Sequence, residues 1–225
     1  MEIVFIRHGQ PEWIRDGLNV ENPPLTALGH AQAQAMAQAL ASEEFDEVYA
    51  SPLLRARQTA APLFEALGRE EQIAPWLEEI RDPAWHGTPQ EKAQVAYEEL
   101  KGRPAHDRWE GLEGGESIRE FTKRIRGGAD EFFGARGLAR ADHDLPIWQI
   151  ERPGRRIALV AHAGTNSVSI AHLLGLQPTP WEWERFVIGH TSVSRLEALE
   201  LHDGFTFSLT KLSDLEHLDA DQRTR

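Results

Sequence analysis

Ile3-Val4-Phe5-Ile6-Arg7-His8-Gly9 decides how this 225-residue chain is read. Four apolar residues stop abruptly at an arginine, a histidine and a glycine, the pattern of a short buried strand that ends in a cleft. In open α/β sheets, ligands sit beyond the carboxyl ends of strands. An arginine there is a permanent cation whose fork of donors matches phosphate or carboxylate. A histidine there serves as nucleophile or proton carrier near neutral pH, and a glycine lets the backbone approach a ligand. Taken alone, the triplet equally describes a strand end with a solvated arginine and a satisfied histidine.

Two other junctions repeat the arrangement. Asp46–Ala50 reads as a strand running into Ser51-Pro52-Leu53-Leu54-Arg55. Ser51 suits an N-cap and Pro52 the first helical position, which places Arg55 in the first turn, at the anion-attracting end of the helix. Arg156–Ala161 is another apolar strand, ending in His162-Ala163-Gly164. Residues 72–80 are expected as one more strand, closing at Glu79. Helices are expected over 27–41 behind Thr26, over 52–67, 89–100, 118–133 and 167–174. Residues 192–201 and 205–212 read as an antiparallel pair joined at Asp203-Gly204. The stretches 81–116 and 134–153 read as loop or insertion regions, and Asp219–Arg225 as a frayed end. Strand–helix alternation predicts an α/β fold, with a mainly parallel central sheet and helices on both faces, in one domain over residues 1–225.

Composition narrows the function. With 40% hydrophobic residues there is enough apolar material for a core, and no run is long enough to span a membrane. The chain enters a strand almost at once, so no signal peptide is expected, and the cytoplasm is the default location. There is no cysteine, which excludes disulfides, thiolate metal sites and a cysteine nucleophile. A net charge of −12 argues against nucleic acid and anionic membranes as partners. It leaves room for a small anionic substrate, because a few arginines in a cleft outweigh a diffuse surface charge screened within about 8 Å.

The residues Arg7-His8-Gly9, Ser51-Pro52-Leu53 with Arg55 and Gln58-Thr59-Ala60, and Val160-Ala161-His162-Ala163-Gly164 resemble the histidine phosphatase superfamily, which includes the cofactor-dependent phosphoglycerate mutases. Glu79-Ile80 with Trp85 and Gly87, and Gly114-Gly115-Glu116-Ser117 ahead of the helix from 118, are similar to further family segments. The five matches fall in the family's order across residues 3 to 200. Four departures stand out. Ile14 occupies a position that is often asparagine, with Asn19 or Asn22 as possible substitutes. Ala163 follows the second histidine, where glycine or serine is common. Pro83 and His86 replace a common glycine and glutamate.

The resemblance implies phosphoryl transfer, which needs a nucleophile, neutralisation of the phosphoryl oxygens and a proton for the leaving oxygen. His8 is then the nucleophile. It must be neutral, with a pKa lowered by nearby cations and its other ring nitrogen held by a backbone carbonyl. Arg7, Arg55 and His162, the last as a neutral donor or a cation, bind the phosphoryl group, together with the Ala163 N–H. Glu79 is the general acid, a role that wants a raised carboxyl pKa. On a strand Glu78 and Glu79 point to opposite faces, and the spacing to Ile80, Trp85 and Gly87 selects Glu79. Arg57 and Glu116 are expected in surface pairs or caps. His86, His106, Trp85 and Trp109 are candidates for an entrance or for loop packing, and His190 and His217 for structural roles.

The leading expectation is a phosphomonoesterase acting on a small phosphate ester with no metal and no cofactor. A phosphoglycerate mutase is the alternative within the family. The family's mutase-type Asn-Glu-Arg-His-Tyr-Gly segment is absent, replaced here by Leu77-Glu78-Glu79-Ile80-Arg81-Asp82. A non-catalytic phosphate-binding module is the alternative of another class, and it has no need of His8 and Glu79. A His/His/Glu metal site ranks low beside two arginines.

Overall fold

The structure, a computed structural model, describes residues 1–141 and 144–225. The apolar run at the start forms β1 (Glu2–Arg7), in which Ile3, Val4, Phe5 and Ile6 have no exposed surface. A small hairpin follows, β2 (Ile14–Arg15) and β3 (Leu18–Asn19), turned by Asp16 and Gly17, both at positive φ. Asp-Gly with two positive φ values is the two-residue turn whose twist suits a hairpin.

Helix α1 (Ala27–Leu40) starts at the expected cap, where the Thr26 hydroxyl accepts from the Gly29 N–H. β4 (Glu47–Ala50) leads towards α2 (Leu54–Ala66). This helix begins two residues later than expected, and Ser51 is not its cap. Leu53 is extended at φ −72°, ψ 140°, and the Leu54 N–H is capped from a distance by the Asn22 side chain. The expected strand over 72–80 is absent. Ile73 makes a single bridge to Ala50, and Pro75–Leu77 then turn in a 3-10 helix. Pro75 fixes φ and lacks the N–H that a strand ladder would use.

Residues 81–116 hold α3 (Gln90–Gly102) and a 3-10 turn over Asp107–Glu110. They pack on a cluster of their own, Leu100, Leu112 and Ile118 with Trp85, Trp109 and Trp183 against it. The two tryptophans of this region are therefore packing residues. α4 (Ile118–Gly134) carries a complete capping box, Ser117 with Glu120. The stretch expected as an insertion at 134–153 instead supplies β5 (Leu138–Arg140) and β6 (Trp148–Ile150), because Leu138, Trp148 and Ile150 have a core to enter.

β7 (Arg156–Ala161) runs directly into α5 (Ala163–Leu173), which starts four residues earlier than expected and makes His162 its N-cap residue. After α6 (Glu182–Arg185) come the long antiparallel strands β8 (Val193–Leu201) and β9 (Gly204–Asp214). The last residues are not frayed. A 3-10 turn covers Ala220–Gln222, and the Gln222 and Thr224 backbone and side-chain oxygens engage Gln32 and His190.

Seven strands form one sheet in the order β4-β7-β1-β8-β9-β6-β5. The expected parallel pairing holds for β4, β7 and β1, whose carboxyl ends lie side by side. From β1 outward the pairings are antiparallel. Strand alternation divides the core. Ile3, Phe5, Ile157 and Leu159 face the cluster that includes Ala129 and Phe133 of α4 and Ile170 of α5. Val4, Ile6, Ala158 and Val160 face Met36 and Leu40 of α1 and Leu63 and Phe64 of α2. Helices therefore cover both faces, as period-2 burial on both sides of a strand demands. At the opposite end from the cleft, Glu2 and Glu43 are cross-linked by Arg156 and Arg195.

Candidate active site

β1, β7 and the β4–α2 junction bring Arg7, His8, Arg55 and His162 together. The His8 and His162 rings are 5.1 Å apart, and Arg55 Nε lies 3.3 Å from His8 Nε2. The His8 main chain is pinned by its N–H to the Ala161 carbonyl at 2.9 Å, and the next N–H, of Gly9, donates to Thr59 Oγ1. His8 Nδ1 lies 2.7 Å from the Gly9 carbonyl. A carbonyl only accepts, so Nδ1 carries the proton and Nε2 presents its lone pair. Burial first, and then Arg55, His162 and Arg7, hold the His8 pKa well below its ordinary value. The ring is neutral at pH 7, and its Nε2 lone pair accepts from the Arg55 Nε–H.

Arg55 is 4% exposed, and Arg7 is half-buried. Burial lowers the pKa of each to about 10, which leaves both cationic at neutral pH. Arg7 donates to the Ile188 carbonyl, and its buried Nε has no partner. His162 Nε2 is 2.7 Å from Ser51 Oγ, while its buried Nδ1 is unpartnered. The Ser51 oxygen accepts from the Leu53 N–H and still has its own proton to give to His162 Nε2, the arrangement in which Nδ1 is the protonated donor. Ser51 is thus committed to the second histidine, which is why it does not cap α2. His162 is not a cation in this state. Burial, with Arg55 and Arg7 adding to it, depresses its pKa well below the usual range. Ala163 is the first residue of α5, so its N–H has no partner within the helix.

Glu79 reaches this group from the loop after the 3-10 turn. Its carboxylate accepts from the Gly164 N–H at 2.9 Å and the Ile80 N–H at 3.0 Å. Burial raises its pKa, with those two N–H groups and the arginines pulling the other way. Gly164 leaves room for this approach, since a Cβ there would lie 2.5 Å from Glu79 Oε1 and push the carboxylate aside. Glu78 turns outward and pairs with Arg81 at 2.7 Å. The two glutamates diverge as expected, although no strand separates them.

The remaining candidates sort plainly. Arg57 pairs with Glu71 at the surface, and Glu116 binds Arg124 at 2.8 Å. Asn19 donates to Thr88 and Pro89 and Asn22 caps α2, so neither replaces the asparagine missing at Ile14. His86 accepts from the Glu21 N–H and His106 is exposed. His217 lies against Thr191 Oγ1. Among the described residues no group of three or more histidine, aspartate or glutamate side chains is placed to hold a metal ion.

Several site neighbours were not anticipated. His190, expected in a structural role, lies with its ring tilted at 47° and 5.6 Å from that of His8, and burial and Arg7 bring its pKa to about 3. Thr191, at φ 56°, donates its N–H to the Arg7 and His8 carbonyls, a strained position for a β-branched residue. Trp13 covers Arg55 at 4.7 Å, and Tyr97 donates to Asp82 at 2.6 Å close to the same arginine. The hairpin that carries Trp13 was signalled by Asp16-Gly17, flanked by short apolar pairs.

A protein-family model described as the histidine phosphatase superfamily (branch 1) matches residues 3–210. The probable phosphoglycerate mutase GpmB of Yersinia enterocolitica is 27% identical, over 97% of this chain and 95% of that protein. The PE-PGRS family protein PE_PGRS11 of Mycobacterium tuberculosis is 44% identical over 92 residues, which are 39% of this chain and only 16% of that protein. Among solved structures, mycobacterial glucosyl-3-phosphoglycerate phosphatase in complex with inorganic phosphate is 26% identical, with a TM-score of 0.69 over 97% of this chain and 99% of that one.

Proposed function

We propose, for a chain that belongs to the histidine phosphatase superfamily (branch 1), that it is a phosphomonoesterase working through a phosphohistidine on His8. The observation that carries this reading is the state of His8. Its Nδ1 is tied to the Gly9 carbonyl, and its Nε2 lone pair faces two cations and the His162 donor, with the Glu79 carboxyl alongside.

Arg7, Arg55, the His162 Nδ1–H and the Ala163 N–H bind the phosphoryl oxygens, and the anion replaces the unmade hydrogen bonds at Arg7 Nε and His162 Nδ1. His8 Nε2 attacks phosphorus as the bond to the ester oxygen breaks, and Glu79, protonated, gives its proton to that oxygen. Glu79 then takes a proton from water, which attacks the phosphohistidine, releases phosphate and restores His8. Arginine supplies the positive charge, so no metal is needed. The substrate is a small phosphate ester, and with a net charge of −12 nucleic acid is not a partner. Among the described residues no helix is long and apolar enough to cross a membrane, and we place the enzyme in the cytoplasm as one domain.

The test is p-nitrophenyl phosphate hydrolysis in EDTA, wild type beside His8→Ala, with acid-labile phosphoenzyme trapped in parallel. Hydrolysis and labelling that persist without His8 would overturn the assignment. The full-length similarity to a probable phosphoglycerate mutase favours a second reading, and phosphoryl exchange between 3- and 2-phosphoglycerate, assayed alongside, decides between the two.

A further inference from the structure

Arg55 has two sets of neighbours. Its Nε faces His8, while its guanidinium lies under the Trp13 ring at 4.7 Å. Trp13 is 43% exposed and Tyr97 40% exposed, both large aromatic surfaces for residues so close to a phosphate pocket. Tyr97 and Asp82 interact electrostatically with Arg55, and Tyr97 with Glu79 as well. The Tyr97 hydroxyl holds one Asp82 oxygen at 2.6 Å, and its ring stands edge-on to Trp85 at 5.7 Å. Ile14, Leu18 and Leu54 add exposed apolar surface around Trp13 and Arg55. An apolar rim beside a cationic pocket marks a binding surface rather than a solvated loop.

The elements that carry these residues are braced. Asn19 of the hairpin donates to Thr88 and Pro89, the Gln90 N–H at the start of α3 donates to the Gly17 carbonyl, and the Val20 N–H donates to the Trp13 carbonyl. Trp13 and Tyr97 are therefore held at a set spacing. The nearby cations Arg81 and Arg124 are already engaged by Glu78 and Glu116. Beyond Arg55 lies the Asp82 carboxyl; burial raises its pKa, while the Tyr97 hydroxyl and Arg55 favour its ionised form, and that carboxylate seeks a donor and repels another carboxylate.

We infer that Trp13, Asp82 and Tyr97 form the leaving-group subsite, and that it takes a phosphate monoester of a ring-bearing alcohol that offers a hydroxyl or amino donor and carries no carboxylate. This rests on the phosphatase reading above and names its substrate class. The aromatic faces cover the ring, as offset or edge-on pairs do, and Asp82 accepts the donor.

The test compares kcat/KM for 4-(hydroxymethyl)phenyl phosphate, 4-carboxyphenyl phosphate and glycerol phosphate. The carboxyphenyl ester has the better leaving group, so the expected preference of about tenfold for the hydroxymethyl ester runs against intrinsic reactivity. Asp82→Asn should bring that ratio close to one. Trp13→Ala should lower kcat/KM for the ring esters about tenfold and for glycerol phosphate much less, with recovery in Trp13→Phe. Tyr97→Phe, which keeps the ring but frees Asp82, should reduce the preference only in part. A ratio near one in the wild type, a ratio unmoved by Asp82→Asn, or an equal loss on all three esters in Trp13→Ala overturns the subsite while leaving the phosphatase standing. Failure to hydrolyse any ester, or full activity in His8→Ala, overturns the phosphatase and the subsite with it.

Discussion

The inner and outer halves of the cleft are built by different means. Inside, Arg7, His8 and His162 stand at the ends of β1 and β7; the Ala161 and Gly9 carbonyls hold His8, the Ile188 carbonyl holds Arg7, and Ser51 holds His162. Outside, Trp13, Asp82 and Tyr97 come from a hairpin, a loop and α3, and side chains hold side chains. The inner half sits on rigid, fully buried strands, as chemistry that tolerates little displacement requires. The outer half sits on segments that are free to vary, which suits selection among leaving groups.

That contrast predicts where substitutions hurt. His8→Ala removes the proposed nucleophile, and kcat should fall on the order of 10⁴-fold or more for every ester. Glu79→Gln should cost about 10²–10⁴-fold, most for poor leaving groups. Burial raises the Glu79 pKa and its proposed role as proton donor needs the acid form, so wild-type kcat/KM should fall as pH rises through that pKa; in Glu79→Gln this limb should flatten. Arg55→Ala should cost about 10²–10³-fold in kcat. Because Arg55 also underlies Trp13, it should in addition blunt the ring preference, whereas Arg7→Ala should not. A loss of preference in Arg7→Ala would erase the division between the two halves.

Stability should follow pH through the inner histidines. His8, His162 and His190 are buried neutral, with pKa values below 6.5. The unfolded chain takes up protons near 6.5 and the folded chain does not. The stabilisation is therefore complete above that pH and is lost as pH falls, with a limiting slope of about 1.4 kcal/mol per pH unit for each group. Glu79 acts in the opposite sense, since its raised pKa favours the folded state on the acid side. Urea unfolding at pH 7, 6 and 5 reads the sum, and a flat profile would mean that the histidines are not buried neutral. The smallest expected effect is Asn22→Ala, about 1 kcal/mol for a lost cap on α2, visible in thermal melts.

The same division explains what the sequence disclosed. An apolar run that breaks at Arg7-His8 or at His162 states both the strand and its terminal chemistry, and the two faces of β1 follow from alternation. Glu79 was found from its spacing to Ile80, although the strand expected around it is a 3-10 turn begun by Pro75. Ser51 was found but given the wrong task, because cap propensity is local and its bond to His162 spans 111 positions. β5 and β6 lay hidden in a polar stretch, since three residues each is too short for a period to show. Trp13, Asp82, Tyr97 and His190 carry no local pattern, and only tertiary folding brings them to Arg55 and His8.

One feature of the tail reaches further than its place at the surface. Thr224 gives its carbonyl to the His190 N–H and its hydroxyl to His190 Nδ1, and the same hydroxyl meets Gln32, whose oxygen holds the Gln10 N–H two residues past His8. Arg225, exposed and adjacent, is therefore wired to the ring that lies against His8. A nitroxide or fluorophore carried there would serve as a spectroscopic window on the pocket, reading arrival of an anion at His8 without altering a residue that touches it.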